Sequence, residues 1–291
     1  MMIYEVQHRT TFRYEQSVSV SQHVLHLMPR DTGRQRRLAF DLSCTPQASV
    51  ASLGQDYFGN WRHHAAFERG HDKLTIDARS RVEVVDPSQN LPATPPWEDV
   101  LAAMQDPRFA DVAEFTFDSP YAEGSVDVLR YAESSFAPER NILEAATDLT
   151  TRIHHDFEYQ GGVSDVSTPV GEVLAMRKGV CQDFAHLQIA CLRVLGLPAR
   201  YVSGYLLTRP PEGHERLVGA DASHAWVSVW CGAAGWVDFD PTNDVLPNIE
   251  HITIGWGRDY GDVSPINGFI VGGGNHAIEV AVDVRPGGAT G

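Results

Sequence analysis

A chain of 291 residues with a hydrophobic fraction of 43% is long enough to form one large globular domain or two modest ones. Its 38 acidic and 23 basic residues give a net charge of −15, which argues against nucleic acid or an anionic membrane surface as a partner. No stretch approaches about 18 consecutive apolar residues, and the first residues lack the pattern of a signal peptide, so a cytoplasmic location is expected.

Residues 1–85 show the period of two that is typical of β-strands. Apolar and polar residues alternate through 4–14, 20–28, 38–42 and 74–84, and a turn signal separates the middle stretches at Gly59-Asn60. Several short strands with regular turns predict an N-terminal β-sandwich domain. Its histidines are spread without metal-ligand spacing, and the chain has no calcium-loop pattern, so neither a metal nor a cofactor is expected.

Residues 86–137 are interpreted as a linker with short helices. Four prolines fall within 86–96, as is typical of a linker. Pro96, Glu98 and Asp99 are residue types that favour the first turn of a helix, and a second short helix is predicted over 125–131.

Residues 138–291 alternate between helical and strand patterns, and we interpret them as a catalytic core followed by a tail. Helices are predicted over 138–155 and 168–176, and a third begins at Cys181 and ends where Gly196 caps it and Pro198 stops it. A strand over 200–207, a polar loop over 208–222 and a closing strand over 278–284 complete this part.

Cys181 follows a basic, glycine-bearing loop and stands in the first turn of its helix. Unpaired backbone N–H groups and the positive end of the helix dipole favour the thiolate form of a thiol there, and thiolate is the nucleophile. The alternative is an ordinary buried cysteine. Cys191 lies mid-helix among apolar residues and is expected in the core, while Cys44 and Cys231 have no partner in view; with no CxxC pair, reduced thiols are expected.

A β-hairpin is predicted over 223–240, because two alternating stretches flank a glycine-bearing turn. A three-residue loop at 231–233 pairs Trp230 with Ala234 and sets His224 opposite Asp240. Directly opposed Cβ atoms lie about 4.5–5.5 Å apart, which allows a carboxylate to hold an imidazole. A loop one residue longer or shorter changes the register, but Asp240 remains the natural partner of His224.

A helix-start cysteine, a strand histidine and a strand aspartate are the components of a thiol acyl-transfer site. The backbone N–H of Cys181 is the expected first oxyanion donor, with Tyr159 or Gln160 as candidates for a second. Gln182 shares the first turn with Cys181, and Asp183 is expected to stabilise the helix start. Trp236 is a candidate for packing or for substrate stacking.

Three sequence blocks, 179–185, 221–226 and 235–242, together resemble the bacterial transglutaminase-like superfamily, whose core is similar to that of papain-type cysteine peptidases. Residues 4–85 resemble the β domain that precedes the core in one bacterial branch, and 257–265 resemble that branch's tail. The resemblance implies an α+β fold: a papain-like core, in which the helix bearing the cysteine packs on an antiparallel sheet, behind an N-terminal β-sandwich domain. It also implies Cys181 as nucleophile, His224 as base and acid, and Asp240 as the orienting carboxylate.

The three residues and the resemblance are compatible with three functions. The first is a thiol hydrolase of peptide, isopeptide or side-chain amide bonds in a peptide or protein substrate. The second is a transglutaminase, in which an amine resolves the thioester, and the third is a non-catalytic binding scaffold. The presence of all three triad residues in order disfavours the scaffold, and the lack of a calcium-loop pattern favours hydrolysis over crosslinking. The oligomeric state is left open.

Overall fold

The computed structural model describes residues 1–86, 92–208 and 223–287. Part of the predicted linker, at 87–91, and nearly all of the predicted polar loop, at 209–222, lie outside the described residues. Within the described ranges, no helix is both long and apolar enough to cross a membrane.

The N-terminal region is a strand-rich domain, as its alternating pattern predicts. Its strands are β1 (Met2–Leu25), β2 (Gln35–Thr45), β3 (Val50–Gln55), β4 (Trp61–Phe67) and β5 (His71–Val84). They pair antiparallel in the order β2-β5-β1-β4-β3. The 24-residue β1 pairs with β5 mainly through its first half and with β4 through its second half, with a register shift between Arg13 and Val18. The long strand β1 therefore connects β5 and β2 with β4 and β3 in one sheet.

The middle of the chain is mostly helical. Its elements are α1 (Trp97–Ala103), α2 (Ala110–Ala113), α3 (Val126–Glu133), α4 (Ile142–Asp156), β6 (Glu158–Tyr159), α5 (Val170–Met176), β7 (Lys178–Gly179) and α6 (Cys181–Val194). Helix α4 starts four residues later than predicted, because the Asn141 side chain caps it by accepting a hydrogen bond from the backbone of Leu143 (3.0 Å), and Glu139 before it has a left-handed backbone (φ 62°).

Helix α6 is central to the core. It packs against α3, α4 and α5 and against the core sheet, so every side chain from Asp183 to Arg193 is buried. A helix enclosed in this way has no solvent-facing stripe, and its buried polar side chains, such as Asp183 and Arg193, are hydrogen-bonded inside the protein. It ends as predicted: Gly196 has a positive φ (81°), and the N–H of Leu197 donates to the carbonyl of Leu192 (2.9 Å).

The core sheet has four antiparallel strands in the order β10-β9-β8-β11. They are β8 (Ala199–Leu206), β9 (Ser223–Trp230), β10 (Trp236–Phe239) and β11 (His251–Gly257). One face, with Tyr201, Val227 and Phe239, belongs to the same hydrophobic cluster as α6. The papain-like arrangement of a cysteine-bearing helix on an antiparallel sheet is therefore present.

The predicted register of the hairpin is wrong. Trp230 pairs with Trp236, not with Ala234, because the connection is a five-residue loop over 231–235 that contains a short 3-10 turn. Gly232 and Gly235 both have positive φ (65° and 69°), and the N–H of Cys231 closes the loop on the carbonyl of Gly235 (2.8 Å). Asp240 consequently lies beyond the paired strands, where it forms a bridge with Val245.

The end of the chain returns to the N-terminal domain. After α7 (Tyr260–Val263) come β12 (Ile266–Gly272) and β13 (His276–Pro286), and both pair antiparallel with β1. The predicted closing strand is confirmed, but it completes the N-terminal sheet. The division of the chain at residues 85 and 137 stays a prediction. Strands β12 and β13 belong to the predicted core segment, 138–291, but pair with β1 of the predicted N-terminal domain, 1–85.

The N-terminal sheet and the core sheet pack against each other. Tyr4, Val6 and Val84 form one buried cluster with Tyr205 and Ile252 of the core sheet. Gln35 adds polar contacts across the same boundary, since its side chain donates to the carbonyl of Thr253 and accepts from that residue's N–H (2.7 and 2.8 Å). Mixed apolar and hydrogen-bonded contacts thus fix the N-terminal domain behind the core.

Candidate active site

Cys181 is the first residue of α6 and is partly exposed. The helix start is held by Asp183, whose carboxylate accepts from the backbone N–H of Val180 (2.7 Å) and from the Ser164 hydroxyl (2.5 Å). The structural role predicted for Asp183 is therefore observed. A Cβ at position 179 would lie 2.8 Å from the Asp183 side chain, so only glycine fits beside this cap. The cap leaves the thiol accessible at the positive end of the helix.

His224 connects Cys181 with Asp240. Its Nε2 lies 2.7 Å from Oδ2 of Asp240, and the Cys181 side chain is close enough to raise the pKa of the imidazole. Because Nε2 contacts the carboxylate, Nδ1 is the nitrogen left for the thiol. Burial alone would lower the pKa of His224, but the hydrogen bond to Asp240 and the nearby Cys181 side chain outweigh it and raise the pKa to about 10. The imidazolium form is thus favoured at neutral pH.

Asp240 is fully buried and is surrounded by donors. The backbone N–H groups of Thr242 and Asn243 donate to Oδ1 (2.9 and 3.2 Å), and the Asn243 amide donates to Oδ2 (2.7 Å). Burial acts to raise the pKa of Asp240, but hydrogen bonds led by those from His224 and His251 hold it well below its usual range. The carboxylate is therefore ionised and fixed in one orientation, although it does not face His224 as a paired strand residue.

His251, at the start of β11, is a member of this network that sequence reasoning missed. Its Nε2 lies 3.2 Å from Oδ2 of Asp240, and its Nδ1 accepts from the N–H of Asn248 (3.3 Å). Burial lowers the pKa of His251 despite the pull of Asp240, so the ring is neutral at neutral pH. With Nδ1 as acceptor, the proton is on Nε2 and is donated to Asp240. No local pattern marks His251, because it reaches Asp240 only through strand pairing.

His224, Asp240 and His251 have ligand-type atoms within 4.8 Å of one another, so they form a group of the kind that can hold a metal ion. Ligands about 2.0 Å from a tetrahedral zinc ion are separated by about 3.3 Å. The 2.7 Å between His224 and Asp240 is shorter than this separation and matches a charge-assisted hydrogen bond. The chemistry of the group is therefore that of a proton-binding network.

The other candidate residues of the site differ in their surroundings. The pKa of Tyr159 is raised by burial and then by the charge of Cys181, so Tyr159 lies near the nucleophile. The side-chain oxygen of Gln160 accepts from Lys178 (3.0 Å), and the amide of Gln182 donates to the carbonyl of Val166 (3.4 Å). Trp236 packs against Trp230 and Phe115, and it lines a cavity that Cys181 does not reach.

The other three cysteines are unsuited to nucleophilic catalysis. Burial raises the pKa of Cys191 and of Cys231 to about 12, and that of Cys44 to about 11. A raised pKa leaves little thiolate at neutral pH. All four cysteines are free thiols, and Cys181 is the one whose side chain raises the pKa of a histidine among the described residues.

Comparison with protein families gives two matches. Residues 4–83 match the bacterial transglutaminase-like N-terminal region, and residues 130–241 match the transglutaminase-like superfamily. The second match includes Cys181, His224 and Asp240.

Individual relatives match either nearly the whole chain or its core alone. A protein of Mycobacterium tuberculosis named only as uncharacterised, Rv2569c, is 44% identical over 97% of this chain and 92% of its own length. A protein-glutamine gamma-glutamyltransferase of Pseudomonas aeruginosa is 40% identical over 139 residues, which are 44% of this chain and 19% of that protein. A solved structure from Cytophaga hutchinsonii, described as a candidate cysteine protease, shares the fold with a TM-score of 0.76 at 24% identity, over 98% of this chain and 90% of that one.

Proposed function

The chain belongs to the transglutaminase-like superfamily, and we propose that within it the protein is a thiol-dependent acyl-transfer enzyme that hydrolyses a peptide, isopeptide or side-chain amide bond. Cys181 is the nucleophile, His224 the general acid and base, and Asp240 the carboxylate that orients His224. The observation that carries this proposal is the 2.7 Å hydrogen bond from His224 to the buried Asp240, on an imidazole whose pKa is also raised by the neighbouring Cys181 side chain.

In the first half of the reaction, the sulfur of Cys181 attacks the acyl carbon of the substrate and a C–S bond forms. The backbone N–H of Cys181, at the start of α6, donates to the oxyanion that develops on the carbonyl oxygen. The C–N bond then breaks while His224 transfers its proton to the departing nitrogen. The products are a free amine and a thioester on Cys181.

In the second half, a water molecule replaces the amine. Neutral His224 takes a proton from the water as its oxygen attacks the thioester carbon. The C–S bond breaks, the carboxylic acid leaves, and sulfur departs as thiolate beside a protonated His224. Asp240 stays ionised throughout and stabilises the imidazolium at the start and end of each cycle.

Crosslinking is the second candidate, and a specific observation favours it. The Pseudomonas aeruginosa relative that covers the core at 40% identity carries the name protein-glutamine gamma-glutamyltransferase. In that reaction a lysine amine instead of water attacks the same thioester, so both candidates share the first half-reaction and the same three residues. A binding scaffold is disfavoured, because a buried, ionised Asp240 beside an accessible thiol serves no packing purpose.

The acyl-enzyme can be trapped and its fate followed. Purified protein is incubated with a peptide extract in H₂¹⁸O that also contains a primary amine, quenched in acid and examined by mass spectrometry. We expect an acyl adduct on the peptide that carries Cys181 and ¹⁸O in the released acid, with neither in a Cys181→Ala variant. Amine incorporation without ¹⁸O would identify a transglutaminase. Turnover by the Cys181→Ala variant would rule out both candidates.

We also propose a cytoplasmic location and a peptide or protein substrate. The net charge of −15 opposes binding to polyanions, and the four cysteines are unpaired. Fractionation of cells that express a tagged full-length chain tests the location. Recovery from the periplasmic or extracellular fraction would contradict it.

A further inference from the structure

A cavity of about 610 Å³ lies between the N-terminal domain and the core sheet. It is bounded by Arg34 on one side and by Arg200, Trp236, Asp238 and Trp256 on the other. Arg200 alternates along β8 with residues that pack on α6, so the cavity is on the sheet face away from the catalytic helix. Its volume is in the range of small-molecule sites, which are commonly found where two domains meet.

Two arginines, Arg34 and Arg200, and two aspartates, Asp86 and Asp238, line the cavity. The guanidinium of Arg200 lies over the rings of Trp236 (4.3 Å) and Trp256 (3.9 Å), and Arg30 lies over Trp256 as well (3.5 Å). Burial lowers the pKa of Arg200 to about 9, against the pull of Asp238, so it is still a cation at neutral pH. Of the two lining aspartates, Asp86 is exposed and Asp238 is partly buried.

The arginine side chains of the cavity are incompletely satisfied. Nε of Arg200 and Nη2 of Arg34 are both buried, and neither has a hydrogen-bond acceptor among the described residues. Arg34 is partly bound, since its Nη1 donates to the carbonyl of Pro247 (2.7 Å) and its Nη2 lies 3.7 Å from Asp238. A buried guanidinium N–H without an acceptor is costly, and here both nitrogens belong to side chains that line one cavity, where a ligand can supply the acceptor.

Arg193 shows what a purely structural buried arginine looks like in the same chain. Its guanidinium donates to the carbonyls of Phe115, Ala199 and Arg258 and to the hydroxyl of Ser119, at 2.6–3.2 Å. Each of its nitrogens therefore has a partner. Arg200 instead has aromatic rings against the flat faces of its guanidinium, so that the N–H edge is what is left to bind.

We propose that this cavity binds a small carboxylate whose oxygens accept hydrogen bonds from Arg200 and Arg34. The planar carboxylate suits the fork geometry of a guanidinium, and an apolar or aromatic remainder suits the indole walls of Trp236 and Trp256. Asp238 beside Arg34, together with the exposed Asp86, favours a monoanion over the dianion of a phosphate, because the two aspartates offset the charge of the two arginines.

Two residues that line the cavity, Asp238 and Asn248, contact side chains next to or within the catalytic network. Asp238 accepts from Nε1 of Trp226 (3.2 Å), which neighbours His224 in β9, and the ring of Trp226 contacts His251. Asn248, another wall residue, donates its N–H to His251. The site is nevertheless separate from Cys181, so its occupancy can be measured without any turnover.

The test uses matched ligands and the intact protein. Benzoate, benzamide and phenyl phosphate are titrated against the purified full-length chain, and binding is followed by isothermal calorimetry and by tryptophan fluorescence. We expect saturable 1:1 binding of benzoate and at least about tenfold weaker binding of benzamide, which lacks the charge that strengthens hydrogen bonds to arginine. Phenyl phosphate is expected to bind more weakly than benzoate. Equal binding of benzoate and benzamide, or tighter binding of phenyl phosphate, would overturn the proposal.

Variants then place the binding in the cavity. Arg200→Met keeps an unbranched side chain between the indoles and is expected to reduce benzoate affinity about tenfold or more. Arg130→Met, at an exposed arginine of α3, is the matched control and is expected to bind as the wild type does. Unchanged affinity in Arg200→Met would show that benzoate binds elsewhere. If circular dichroism shows that Arg200→Met is unfolded, Arg34→Met takes its place with the same expectation.

Discussion

The N-terminal sheet and the core both bury histidines, yet they hold them in opposite charge states. In the N-terminal sheet, burial lowers the pKa of His8 and of His23 to about 4. In the core, the pKa of His224 is raised to about 10, although His224 is also buried. Burial by itself therefore yields neutral histidines, and a specific partner is needed to produce a charged one.

The two regions differ in what the carboxylate near each histidine binds. Asp77, the carboxylate nearest to His8, is already bound by Arg9 and Gln7 (2.7 Å each), so His8 bonds to neutral hydroxyls of Tyr205 and Thr10 instead. Asp240 has no guanidinium partner among the described residues, and its Oδ2 is shared between His224 and His251. The Asp240 carboxylate, left free of arginine, acts together with the nearby Cys181 side chain to make His224 basic.

The largest expected effect is the loss of turnover when the Cys181 thiol beside the charged His224 is removed. Cys181→Ala removes the sulfur that raises the pKa of His224, so turnover should fall to the uncatalysed level while the fold is retained. The matched control is Cys191→Ala. Cys191 is fully buried, so this change should leave turnover intact and lower the free energy of unfolding by about 1 kcal/mol. Initial rates and urea unfolding of both variants separate the two outcomes, and activity in Cys181→Ala would end the assignment.

The second effect tests the carboxylates directly. Asp240→Asn removes the charge that raises the pKa of His224, and we expect kcat to fall roughly 10- to 10³-fold. Asp77→Asn, the equivalent change in the N-terminal sheet, should leave kcat unchanged. Asp238→Asn should cost little, because Asp238 contacts Trp226 and Arg34 and does not contact His224. A larger loss in Asp238→Asn than in Asp240→Asn would move the third catalytic position, and equal mild losses would leave a Cys-His pair.

The third effect concerns His251, which we regard as a positioning residue. His251→Phe removes a donor to Asp240, and we expect kcat to fall roughly three- to tenfold with little change in KM. Since Asp240 becomes more basic without this donor, the pKa of His224 should rise. His251→Gln keeps an N–H donor and should restore most of the activity. Equal losses in the two variants would indicate a packing role alone.

The fourth effect is a pair of opposite pH dependences. The pKa of His224 in the folded protein, about 10, is above its unfolded value of 6.5, so its stabilising contribution is complete below about pH 6.5 and is lost as the pH rises towards 10. For His8 the folded value of about 4 is below 6.5, so protonation favours unfolding as the pH falls from 6.5 towards 4. NMR titration of the imidazole signals measures both values. A measured pKa near 6.5 for His224 would contradict the claim that the core raises, and the N-terminal sheet lowers, the pKa of a buried histidine.

The smallest effect is expected from chelation. The His224–Asp240 distance fits a hydrogen bond better than a shared metal ion, so EDTA should leave activity and the melting temperature unchanged. A loss of activity that one added ion restores would show that the group at Asp240 holds a metal.

Local signals in the sequence were enough to predict much of this structure. Period-two alternation identified the strands of the N-terminal domain, and Gly196 with Pro198 fixed the end of α6, because propensity and capping act within a few residues. The sequence blocks around Cys181, His224 and Asp240 identified the family and the two residues that now lie 2.7 Å apart. Asp240 was found even though the hairpin register was wrong, since a side chain just beyond the strand still reaches His224.

Only the tertiary structure decided the rest. The loop over 231–235 depends on two glycines with positive φ, and β12 and β13 pair with a strand more than 240 residues earlier. His251 joins Asp240, and Arg200 comes to face Arg34, through the packing of strands that no local pattern connects. Hydrophobic period and caps specify each element separately, but which elements become neighbours is set by how their buried faces pack together, and the polar network of the site follows from that packing.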